Sequence, residues 1–110
     1  MIRCETPELN ADQRRAIDEQ HAARGASPLG MTLSEDATGS RTLVWSCDLW
    51  PLGQQEAINL RGALAAASFY ADVADQRYAH GFCSDVHPGG RAAVDRLVVI
   101  IQQACARMLQ

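Results

Sequence analysis

The chain has 110 residues, an apolar share of 47% and a formal charge of −3. That length suits one domain with one core and leaves no mass for a deep enclosed active site, while the apolar share argues against wholesale disorder. Mild acidity without a basic patch points away from nucleic acid, and the absence of lysine excludes Schiff-base chemistry, a lysine base and a P-loop lysine.

Thr6-Pro7-Glu8 is a helix-start signal, with Thr6 as N-cap and Pro7 in the first turn; Asn10 competes as a cap. The predicted helix runs over 7–24 and stops at Gly25. Leu9 and Ile17 are nearly its only large apolar residues, so it has little to anchor it and could order only against a partner. Residues 1–26 therefore read as an N-terminal helix or flexible arm, and 27–110 as a single α+β domain.

Met31–Glu35 and Arg41–Leu49 alternate between apolar and polar, and Asp36-Ala37-Thr38-Gly39-Ser40 between them is rich in turn formers. They predict a β-hairpin, with Leu43, Trp45, Cys47 and Leu49 on one face. An isolated hairpin is marginal in water, so it must lie on helices or extend its sheet through a second subunit. Trp50 falls on the opposite face and precedes Pro51, which ends the strand. It is placed either to anchor a partner or to pack on the next helix.

Gln54 to His80 reads as one long helix, ended by Gly81 and Phe82 in a Schellman pattern. On a helical wheel it has two apolar stripes. One holds Leu60, Leu64, Ala67, Ala71, Ala74 and Tyr78; the other holds Ile58, Ala65, Phe69 and Val73. A surface helix needs one stripe, so the second predicts an interface. Gly62 and the neighbouring alanines would let another backbone approach closely. A final helix is predicted from about Arg91 to Leu109, its stripe running through Val94, Leu97, Val98, Ile101, Ala104, Cys105, Met108 and Leu109. The β-branched run Leu97–Ile101 also suits a buried strand, but the length and the continuing stripe favour helix.

The expected fold is thus α+β: a weak N-terminal helix, a β-hairpin, then two long antiparallel helices packed on it. The expected core is Leu33, Leu43, Trp45, Leu60, Leu64, Phe69, Leu97, Val98, Ile101, Cys105 and Met108. No apolar run reaches the roughly 18 residues that a membrane span needs, and the first residues lack a signal peptide's apolar segment. A cytoplasmic protein with no membrane partner is expected, its cysteines Cys4, Cys47, Cys83 and Cys105 reduced.

Three functions are compatible with these residues. The first is a small non-enzymatic protein–protein interaction protein without a cofactor. It would be a homodimer or an adaptor or inhibitor of a larger protein complex, as bacterial phage and mobile-element accessory proteins are, with Ile58, Ala65, Phe69, Val73 and Trp50 at the interface. The second is a metal-binding loop, since His80, Cys83 and His87 are donors of the type zinc prefers. The third is a small thiol enzyme or redox sensor, with Cys83 as nucleophile and His87 as its base.

Overall fold

The structure is a computed structural model that describes residues 11–75 and 77–108. Helix α1 (Ala11–Arg24) leads into strands β1 (Leu29–Glu35) and β2 (Arg41–Asp48). Helix α2 (Gln54–Ala67) follows, then strands β3 (Tyr70–Asp75) and β4 (Tyr78–Ser84), and helix α3 (Gly90–Met108). The class is α+β, and the expected order of helix, hairpin and helices holds. A second hairpin, β3–β4, stands where the long helix was expected to continue.

The two hairpins join through β2 and β4 into one antiparallel sheet of order β1-β2-β4-β3. Alternation along β2 supplies both of its faces. Leu43, Trp45 and Cys47 enter the main core with Ala79 and Cys83 of β4, Leu60 and Leu64 of α2, and Val94, Leu97 and Ile101 of α3. Val44 points the other way and meets Phe82 and Ile17 of α1. Helices α2 and α3 therefore cover one face and α1 the other. Ile17 and Gln20 are the buried residues of α1. Around them, Thr32 Oγ1 donates to Gln20 Oε1, and the Arg24 guanidinium reaches Asp48 Oδ1 at 3.1 Å and the Pro28 carbonyl at 3.1 Å.

Helix α2 ends at Ala67 rather than His80 because Ser68 turns extended, at φ −96° and ψ 146°. Its N–H and its Oγ both donate to the Leu64 carbonyl, at 3.1 and 2.7 Å. Its Oγ also accepts from Trp45 Nε1 at 2.7 Å. The stop is thus tied to the largest fully buried side chain of the sheet. Gly81, expected as the helix terminator, instead pairs with Trp45 in mid-sheet. A Cβ at Gly81 would run into the Tyr70 carbonyl oxygen and lie 2.7 Å from Trp45 Cζ2. Its role is close approach to the indole.

Most of the expected core is buried: Leu43, Trp45, Leu60, Leu64, Leu97 and Ile101. Val98 and Cys105 are half-buried at its margin. Two expectations fail. Leu33 is 48% exposed and Phe69 39%. Leu33 lies in the half of the outer strand β1 that the helices do not cover, since burial along β1 fades from Leu29 to Glu35. Phe69 has left the helix and sits on the rim. The Met108 side chain, Leu109 and the Thr6–Pro7 helix start lie outside the described residues. Among the described residues, no helix is long and apolar enough to cross a membrane.

Candidate interaction surface

Helix α2 turns Leu60, Leu64 and Ala67 inward and leaves Ile58, Gly62, Ala65 and Ala66 exposed. The spacing of 4, 3 and 1 residues keeps these four on one outward side. Ile58 is 44% exposed, an apolar side chain held in water beside residues that have almost none. Phe69 follows just beyond the helix and is 39% exposed. Its ring leans on His87, with centroids 4.6 Å apart, and its edge would lie 3.1 Å from a Cβ placed at Gly90. Gly90, at the start of α3, also lies so close to the Ser84 carbonyl that a Cβ there would clash. Gly62, Ala65 and Ala66 thus form an exposed patch of small residues beside Ile58.

The other expected interface residues do not join this surface as one stripe. Trp50 is 72% exposed in the turn after β2. The Val73 side chain lies outside the described residues, and its backbone belongs to β3 rather than to a helix. Leu33 and Val86 are exposed as well, against expectation, and Val99 is exposed off the α3 stripe, as its position in the sequence implies. For Leu33 the signal was its place near the end of a strand with nothing assigned to cover it.

His80, Cys83 and His87 do not converge. In strand β4, positions 80 and 83 differ by an odd number and so face opposite sides of the sheet. His80 points to the α1 side, with Tyr78 and Tyr70 ring centroids at 5.4 and 6.3 Å. Its Nε2 is 3.8 Å from Asp72 Oδ2, and its Nδ1 is buried with no hydrogen-bond partner. Burial holds the imidazole below the usual histidine range, with the Asp72 carboxylate pulling the other way. Cys83 is fully buried in the main core. His87 is exposed in the loop after β4, against Phe69. Among the described residues, no group of three or more His, Cys, Asp or Glu side chains is placed to hold a metal ion.

The same geometry separates the thiol from its expected base. Burial pushes the Cys83 thiol up to about 11, with Asp85 adding to the effect, and the Cys47 thiol to about 12. A thiol held protonated at neutral pH is a poor nucleophile. Cys4 lies outside the described residues.

An open cleft of about 310 Å³ lies between the first turns of α1 and the loop after β4, floored by Val44 and Phe82. Ser84 lines it, but its Oγ is engaged by the Val86 N–H and the Thr42 hydroxyl, at 3.4 and 3.3 Å. Among the described residues, no hydrogen bond joins Ser84 Oγ to a base there. Beside it, Arg41 bridges Asp85 and Asp95, at 3.1 and 3.0 Å. The Asp85 carboxylate also accepts the Arg41 N–H at 3.0 Å. That guanidinium holds the Asp85 carboxyl below the usual carboxylate range and ties β2 to the approach of α3. No family model, curated protein or solved structure matches this chain.

Proposed function

We propose that the protein is a non-enzymatic interaction protein whose recognition surface is the outward side of α2, bounded by Ile58 and Phe69. The observation that carries this reading is the exposure of Ile58 and Phe69, at 44% and 39%, before and after the exposed small residues Gly62, Ala65 and Ala66 in the chain. The shape favours a different protein over a second copy. Two-fold pairing of this surface with itself sets bulk against bulk at the ends and small against small in the middle, which leaves a gap that packing does not tolerate. A partner carrying a large apolar side chain between smaller ones fills the trough. His80, Cys83 and His87 stand apart from one another and Cys83 is buried in the core, which supports neither the metal nor the thiol reading.

The test is a photo-crosslinking amino acid at position 65, in cells of the natural source. The expected result is one adduct of defined mass, abolished by Phe69→Asp in the same chain. An adduct indifferent to Phe69→Asp, or no adduct at all, overturns the proposal.

A further inference from the structure

Among the described residues, β1 is an outer strand of the sheet, and the side away from β2 carries a row of backbone groups that no described residue bonds. Its ladder with β2 is regular, with seven successive pairs from Leu29↔Cys47 to Glu35↔Arg41. At the two ends, the Asp48 N–H donates to the Pro28 carbonyl and the Asp36 N–H to the Ser40 carbonyl. In an antiparallel ladder, hydrogen-bonded and non-hydrogen-bonded pairs alternate. The even-numbered residues Gly30, Thr32 and Ser34 therefore bond to β2. The N–H and C=O of Met31, Leu33 and Glu35 point away from the sheet. Residues 32–35 are all exposed.

The opposite edge is built differently. Strand β3 breaks its register between Asp72 and Asp75, and these two carboxylate residues flank the break. Irregularity and charge are the devices that keep an edge from pairing. Strand β1 has no proline, no lysine and no bulge, and leaves Leu33 48% exposed.

We propose that the β1 edge is a homotypic interface, on which a second copy of this chain lays its own β1 antiparallel about a two-fold axis at Leu33. The occupant follows from self-complementarity. In this register Leu33 meets the partner's Leu33, Thr32 meets the partner's Ser34, and Met31 meets the partner's Glu35. The outward-facing residues are then the ones that form hydrogen-bonded pairs, so the free N–H and C=O groups of Met31, Leu33 and Glu35 are satisfied together. The two exposed leucines cover each other on the α3 side of the sheet, and Thr32 lies opposite the partner's Ser34 on the α1 side. The contact is isologous, so it closes as a dimer with a continuous sheet. It does not use α2, and it leaves two copies of the α2 surface free for partners.

The experiment is the solution mass of the full chain over a wide concentration range, by sedimentation equilibrium, for the wild type, Leu33→Asp and Phe69→Asp. The expected result is a dimer for the wild type and Phe69→Asp. Leu33→Asp, which sets two carboxylates face to face on the axis, is expected to be a folded monomer. A wild type that stays monomeric, a Leu33→Asp that stays dimeric, or a dimer dissociated by Phe69→Asp overturns the proposal. A Leu33→Cys variant covers the case in which Leu33→Asp does not fold. The narrow pair at the axis brings the two Cα atoms to about 5.5 Å, within disulfide reach. Mild oxidation is expected to give a dimer cross-linked through position 33 with unchanged circular dichroism, and failure to cross-link there counts against the interface. Loss of the α2-dependent adduct with an intact dimer would sink the recognition surface alone.

Discussion

His80 is the residue whose chemistry the fold changes most legibly. It sits half under α1 with Nδ1 unsatisfied, and burial lowers its pKa from 6.5. The unfolded chain therefore takes up the proton first as pH falls. Stability is full above about pH 6.5 and declines as the pH drops through the lower folded value. Asp36 and Asp85 are also held low, but from 3.8, so what they contribute is lost only in stronger acid. Denaturant midpoints at about pH 7.5 and about pH 5 separate the two windows. The wild type is expected to lose stability between them, and His80→Phe, which keeps a ring between Tyr70 and Tyr78, to lose much less. Equal losses in both proteins would place the titration elsewhere. The same position shows why the metal motif misled. His80, Cys83 and His87 have loop-like ligand spacing in the sequence, but strand parity sends the first two through opposite faces of the sheet.

At the scale of elements, α1 has the fewest buried residues of the three described helices. Ile17 and Gln20 are its buried residues, so its attachment rests on Ile17 and Ala16, polar contacts, and the packing of His21 and Arg24 on Tyr78. Hydrogen exchange is expected to show α1 amides opening locally, well before those of β2 and β4. Ile17→Ala, a truncation that costs about 2 kcal/mol or more in a packed site, is expected to remove α1 protection and leave the sheet amides unchanged. Loss of protection in β2 and β4 together with α1 would show one cooperative unit instead. The weakness of this helix was legible in its composition, as were the first hairpin, its inward face and the stripe of α3. The second hairpin was not. Alanines at 63 and 65–67 and a helix-like spacing of Leu60, Leu64, Ala67 and Ala71 carried the helical pattern past its true end. The competing signal was the alternation of Tyr78, His80 and Phe82 with Ala79, Gly81 and Cys83. A contact remote in sequence, Trp45 Nε1 to Ser68 Oγ, accompanies the turn to extended backbone, and no local propensity reports it. Glycine ends helices more often than it makes room for an indole, so in the sequence alone Gly81 signals a terminator.

For the whole molecule, the distribution of apolar surface carries the functional argument. The main core occupies the space between the sheet and the α2–α3 pair, and α1 closes a second, smaller cluster on the reverse. Neither uses the outward side of α2. Ile58 and Ala65 were identifiable from the sequence because they lie in the part of the expected helix that is helical, where period 3.6 applies. Phe69 is exposed for another reason, since it stands on the rim after the helix has ended. The candidate surface was thus visible in outline, while its far boundary depends on tertiary structure. Its central claim is that Ile58 and Phe69 do not serve the protomer's own core. The most direct measurement is the thermal unfolding of Phe69→Asp beside Leu64→Asp, which differ in whether the altered side chain faces outward or is fully buried. Phe69→Asp is expected to unfold cooperatively within about 5 °C of the wild type, the shift of a cost near 1 kcal/mol, while Leu64→Asp loses the cooperative transition. A Phe69→Asp chain that fails to fold, as Leu64→Asp does, would contradict the claim.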